Sequence, residues 1–130
     1  MSEGQRLTDL QIAVLRLLWE RGEASVAEIW EALYAERKLA QTTVATIVAR
    51  LQRRGILTRR TRDRQFVYQT LLTEAVVQHS MVSELMERLF AGDVTALVSH
   101  LLSAPDMSPG DLARVREMIE STEPPKKDNK

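Results

Sequence analysis

Thr43, Thr46, Arg50 and Arg53 recur at steps of three and four along QTTVATIVARLQRRG, residues 41–55. Hydroxyls followed by guanidinium groups are the chemistry of a face that reads a DNA major groove. Threonine meets base edges or thymine methyls, and arginine meets phosphates or guanine. Ala45 and Ala49 lie among them and keep that side slim. Val44, Ile47, Val48 and Leu51 recur on the other side at the spacing of a buried helical stripe. Alone, the stretch reads equally well as a core helix with a solvated charged face, so its flanks decide. The candidate base contacts are Thr42, Thr43 and Thr46. The candidate phosphate contacts are Arg50 and Arg53, joined further on by Arg60, Arg62 and Arg64.

Other chemistry is poorly represented. His79 and His100 are the two histidines, on separate predicted helices, whereas a tight zinc site wants three or four ligands. There is no cysteine, which excludes disulfides, iron–sulfur clusters and thiolate zinc sites and fits a cytoplasmic protein. No Gly-rich phosphate loop, nucleophile elbow or paired-acid constellation stands out. Glu84 and Glu87 read as a solvated face. The expectation is a protein that is not an enzyme and holds no cofactor and no metal.

Bulk properties agree with a DNA-binding protein once charge is located rather than summed. The formal net charge is zero. Residues 37–64 nevertheless hold nine Lys/Arg against one acid, Asp63, and the acids concentrate elsewhere. Such polarity places a positive face on DNA and keeps the remaining surface away from it. A hydrophobic fraction of 44% over 130 residues supports one domain, or a small domain plus an appendage. No apolar run reaches the roughly 18 residues of a membrane span. The start, MSEGQRLTD, has neither the basic end nor the apolar core of a signal peptide.

The elements that must position the threonine–arginine face follow from local signals. The first helix is expected over 7–21, with Thr8 and Gln11 as a capping box, Leu10, Val14, Leu17 and Leu18 inward, and Gly22 as its stop. Glu23 and Ala24 form a link with room for a very short strand. Ser25 and Glu28 make a second capping box and open a helix to about Glu36, with Val26, Ile29, Trp30 and Leu33 inward. Trp19 and Trp30 read as core. After a turn the third helix carries the unusual face and ends at Gly55, the layout of a helix-turn-helix.

The period then changes. Ile56–Thr61 and Gln65–Thr70 flank Arg62-Asp63-Arg64 and predict a hairpin. Asp tolerates a left-handed backbone. An arginine-tipped hairpin after a recognition-type helix is a wing, and Arg59, Arg60, Arg62 and Arg64 are placed to meet phosphates or an adjacent minor groove. Edge protection against aggregation is the competing role for some of them.

Three more helices are expected. One runs from about Thr73 to Ala91, one is capped by Asp93 and ended by Ala104-Pro105, and one starts at Ser108-Pro109 with Leu112, Val115 and Ile119 inward. Val77, Met81, Leu85, Leu89, Val98, Leu101 and Leu102 give more apolar surface than such an appendage hides alone. Packing against a second copy is favoured over folding back onto the N-terminal core. The expected fold is mainly α with a small β-hairpin wing: a winged helix-turn-helix DNA-binding domain at 1–71, a helical dimerisation region at 72–121, and a disordered tail at 122–130.

On LTDLQIAVLRLLWERGEASVAEIWEAL at 7–33, LAQTTVATIVARLQRRGIL at 39–57 and RDRQFVYQTL at 62–71, the sequence resembles the BlaI/MecI/CopY family of penicillinase-type repressors. The likeness extends weakly to about Glu120. The resemblance implies a homodimer on a double-stranded, dyad DNA operator in front of resistance genes or its own operon. It also implies release by proteolysis near His100-Leu101, triggered by a membrane sensor-protease that detects β-lactam. Better-known members carry Asn-Phe at that place, where this chain has His-Leu. Copper-responsive relatives carry a C-terminal cysteine motif that this chain lacks, and the family usually has Gly at the position of Asp63. Two other readings remain beside it: a winged-helix repressor released by a small molecule bound between its domains, and a winged helix used only for protein contacts.

Overall fold

A computed structural model supplies the fold, with residues 7–121 described. The expected tail at 122–130 and the first six residues lie outside the described residues. Helix α1 spans Asp9–Arg21, α2 Val26–Arg37 and α3 Gln41–Arg53, followed by strands β1, Leu57–Arg62, and β2, Gln65–Thr70. Helices α4, Glu74–Phe90, α5, Val94–Leu102, and α6, Pro109–Ser121, complete the chain.

Both capping boxes form. The Thr8 hydroxyl accepts from Gln11 N at 3.1 Å while Gln11 Oε1 accepts from Thr8 N. Ser25 and Glu28 repeat the exchange at the start of α2. Each box satisfies two amides that an α-helix otherwise leaves unpaired. Gly22, with φ of 89°, stops α1. Helix α2 instead ends on Lys38, held left-handed at φ 52° without the glycine that usually marks such a position. Gly55, φ 81°, turns the chain out of α3 into the wing.

Strands β1 and β2 pair antiparallel with Leu57 opposite Thr70 and Arg62 opposite Gln65. Only Asp63 and Arg64 lie between them, both with positive φ, 51° and 68°, so the turn is of the two-residue primed kind. The short strand expected at the α1–α2 link reduces to one residue. Ala24 exchanges both backbone bonds with Tyr68, at 3.0 and 2.8 Å, and closes the outer edge of β2.

The core is built by α1, α2, α3 and the sheet. Val14, Leu15, Leu18, Ile29, Val44, Val48, Leu51 and Val67 are fully enclosed, each stabilising by about 1.5–3 kcal/mol relative to exposure. Leu15 belongs to this core and was absent from the expected stripe of α1, while Leu10 is only half-buried. Both tryptophans use their indole N–H. Trp30 donates to Leu39 O at 2.7 Å, and Trp19 to Leu72 O at 2.8 Å.

The chain divides into two compact units between Val82 and Ser83, inside α4. Val77, expected on a dimer face, is instead 5% exposed within the first unit. The second unit forms its helices as expected, with Asp93 capping α5 and Ser108 capping α6. Its packing differs from expectation. Among the described residues from Ser83 onward none is buried. Leu112 and Ile119, expected inward, are exposed, Ile119 at 64%.

Candidate nucleic-acid interface

Helix α3 separates its two faces cleanly. Val44, Val48 and Leu51 are buried against α1 and α2, while Thr42, Thr43, Thr46, Arg50 and Arg53 are all exposed. Ala45 and Ala49 are exposed between them, so the outward side is narrow. The Thr46 hydroxyl donates to Thr42 O at 3.0 Å. That bond fixes its rotamer and leaves the oxygen lone pairs and the methyl group facing outward. The N-cap of α3 is Ala40, with no side-chain cap. The Trp30–Leu39 bond anchors the segment just ahead of it.

The wing distributes its arginines in two ways. Arg59 lies over the Phe66 ring, 3.9 Å from its centroid, with Phe66 half-exposed. This contact occupies the face of the guanidinium and leaves its N–H edges for an acceptor. Arg64 is exposed at the tip. Arg60 and Arg62 differ from expectation, because both are engaged by carboxylates of the same chain. Arg60 donates from Nε and Nη2 to the two oxygens of Glu23, at 3.0 and 2.6 Å. Arg62 lies 3.5 Å from Glu23 and donates to both oxygens of Glu28 at 3.2 Å. These carboxylates take the Nε–Nη2 edge of Arg60 and the end of the Arg62 fork, and they neutralise charge that would otherwise face a phosphate. Glu23 is held below the usual carboxylate range chiefly by its hydrogen bond from Arg60. Glu28 is lowered as well, first by the backbone amide of Ser25 and then by Arg62.

Sequence reasoning did not find Glu23 and Glu28 in this role. A signal existed, since a short strand at Ala24 that pairs with β2 brings its neighbour Glu23 to the wing. Arg54, at the end of α3, bonds Gln11 Oε1 at 3.3 Å and so ties α3 to the capping box of α1. The sequence places seven arginines between Arg50 and Arg64 in one basic run, and the fold sends them to different tasks.

Two further features are a cleft and an exposed apolar surface. A cleft of about 350 Å³ in the first unit is lined by Leu7, Ile56, Leu72, Val76 and Met81, with Arg54 and Ser80 among its other lining residues. Across the second unit, Leu85, Leu89, Leu101 and Leu102 are exposed and Val98 is half-buried; Met81, just before its start, is also exposed. His100 packs edge-on to Phe90 at 6.2 Å. Among the described residues no group of His, Cys, Asp or Glu is arranged to hold a metal ion. No described helix is long and apolar enough to cross a membrane.

The sequence profile of the penicillinase repressor family matches residues 7–121. The chain is 32% identical over 116 residues to the transcriptional regulator BlaI of Mycobacterium tuberculosis (strain ATCC 25618 / H37Rv), spanning 88% of this chain and 84% of that protein. It is 22% identical over 106 residues to the methicillin resistance regulatory protein MecI of Mammaliicoccus sciuri, spanning 82% of this chain and 86% of that protein. In three dimensions it is similar to the solution structure of the DNA-binding domain of the repressor BlaI, with a TM-score of 0.50 and 23% identity, over 58% of this chain and 92% of that one.

Proposed function

This chain belongs to the penicillinase repressor family of DNA-binding transcriptional repressors, which are not enzymes, and we propose that it acts as a homodimer on a palindromic operator. The observation that carries the reading is the split of α3 into a buried stripe and an exposed threonine–arginine face. In this reading Thr42, Thr43 and Thr46 meet base edges. Arg50, Arg53 and Arg64 meet phosphates, with Arg59 beside them on the wing. Two copies place their α3 helices in successive major grooves about 34 Å apart and repress by occupying the promoter. The second copy is argued from the second unit, which leaves its apolar residues exposed in the single chain. The genes controlled are resistance genes or the repressor's own operon.

Release follows from damage to that second unit. The bond between His100 and Leu101 lies in the last turns of α5, with both residues exposed. A protease must draw this segment into extended form, and helix ends fray most readily. A membrane sensor-protease cutting there would separate α6 from the remaining helices and weaken the dimer. A second reading, release by a small molecule, draws on the cleft lined by Leu7, Ile56, Leu72, Val76 and Met81.

The test is a salt titration of binding to the DNA just upstream of the repressor's own gene, against scrambled DNA of equal length. Two chains per site, a preference for the native sequence and a steep salt slope are expected. Equal, weak binding to both would overturn the operator reading. Mass spectrometry of the protein from induced cells separates the two routes of release: fragments ending at His100 mark cleavage, and intact released protein marks a ligand.

A further inference from the structure

We propose that Glu23 and Glu28 set DNA specificity by holding Arg60 and Arg62 off the phosphate backbone. The proposal rests on the DNA-binding reading above and deepens it. Affinity for any duplex grows with the number of phosphates that cations neutralise, whatever the sequence. Specificity is the difference between operator and other DNA, so cations that serve both equally add nothing to it. Residues 37–64 carry nine Lys/Arg, enough to make a strongly adhesive surface. The fold removes two of these charges from that surface with carboxylates drawn from outside the recognition elements.

Arg60 stays 58% exposed, but its pairing is bidentate and Arg62 is shared between two carboxylates, which makes the group a clamp. Arg60 gives both prongs of its fork to Glu23, and Arg62 bridges Glu23 and Glu28. Glu28 is itself fixed, because one of its oxygens accepts from Ser25 N at 2.8 Å in the α2 capping box. Its place in the first turn of α2 also favours the ionised form. The clamp therefore joins the rim of the wing to the start of α2. Arg62 immediately precedes the turn, so Arg64 is presented from an anchored base. The wing thus spends two arginines on its own position and keeps Arg59 and Arg64 for DNA.

The experiment compares three full-length proteins: the wild type, the double variant Glu23→Gln with Glu28→Gln, and the double variant Arg60→Ala with Arg62→Ala. Glutamine is chosen because it still completes a capping box, and circular dichroism verifies the fold. Each protein is titrated at several salt concentrations with a random-sequence duplex of roughly 30 base pairs, long enough for two adjacent half-sites. Freeing both arginines is expected to steepen the salt slope by about two units and to raise affinity for this duplex by about tenfold. Removing both arginines is expected to leave the slope within about half a unit of wild type. A flattening by about two units in the arginine variant would show that both touch phosphates, and the proposal would fall. An unchanged or flatter slope in the glutamine variant would overturn it too. Arg50→Ala, run in parallel, tests the interface itself: an unchanged slope there counts against α3, not against the clamp.

Discussion

The indole N–H of Trp30 in α2 donates to the carbonyl of Leu39 at 2.7 Å, across the turn that leads into α3. The turn lacks a glycine, and Lys38 holds a left-handed backbone at φ 52° within it. The bond therefore fixes a segment whose own residues do not favour its shape. Trp30→Phe keeps an aromatic ring but removes the donor and part of the packed indole. The expected loss is about 1–3 kcal/mol of stability, read as a lower urea midpoint with an unchanged m-value. Operator affinity falls more than stability, because α3 leaves the turn at a less defined angle. Equal operator affinity in the variant would show that α3 is positioned by its core residues alone.

Thr46 and Arg50 occupy one face of α3 and should fail differently when changed. Arg50→Ala is expected to weaken binding to all sequences alike and to flatten the salt slope by about one unit. Thr46→Val keeps the methyl group but loses the oxygen and the bond to Thr42 O. Its expected effect is an altered base preference at one position of each half-site, seen by selection from a randomised library. An unaltered preference would remove Thr46 from the base-reading set.

Arg64 sets stability against function. Its φ of 68° is a conformation that costs an L-residue about 1–2 kcal/mol and glycine almost nothing. Arg64→Gly should therefore raise stability by about 1 kcal/mol while reducing DNA affinity through loss of an exposed cation. Thermal denaturation and a binding titration on the same variant give the two signs. Unchanged or higher affinity would remove Arg64 from the phosphate contacts, and a loss of stability would show that its left-handed backbone carries no strain.

The apolar residues of the second unit predict its oligomeric state. Leu89 and Ile119 are 69% and 64% exposed in the single chain. Leu89→Glu or Ile119→Glu is expected to leave the helix-turn-helix folded, since its core lies elsewhere, and to convert dimer to monomer. Sedimentation velocity measures the change. Operator binding should fall with it, and a variant that stays dimeric would place the contact on another face.

Acid acts on the clamp with a definite sign. Glu23 has a folded-state pKa below its ordinary 4.5, mainly through the hydrogen bond from Arg60. Its stabilisation is thus fully present above that ordinary value and is lost as the pH falls below it toward the folded pKa. Glu23→Gln should flatten the pH dependence of wing order in this acid range, as followed by the chemical shifts of the β1 amides. Identical profiles in the two proteins would show that the pair with Arg60 does not persist in solution.

Much of this was readable from sequence where the cause is local. The Thr8–Gln11 and Ser25–Glu28 boxes depend on a spacing of three residues, and both form with their expected partners. The change of period after Gly55 marks the hairpin, and the Val44–Leu51 stripe marks the buried side of α3. What escaped is long-range. Glu23 meets Arg60 across 37 positions, and no local pattern separates an arginine that faces DNA from one that faces a carboxylate. Leu15 escaped for a related reason: it is enclosed because the core wraps far around α1, beyond the stripe that spacing alone suggests. The fate of Ile119 and Leu112 is not encoded in α6 by itself, since an amphipathic helix states only that it needs a cover.

Glu28 completes the α2 cap with one oxygen and grips Arg62 with both. The first amides of α2 and the rim of the wing therefore share a fastening, though they lie more than thirty residues apart. Such segments open together rather than one by one. In native-state hydrogen exchange the amides of β1 near Arg62 and those of the first turn of α2 should report a common opening free energy, lower than that of the α1 and α3 amides in the core. The wing would then behave as part of a small cooperative folding unit that includes the start of a helix, and not as an independent flap.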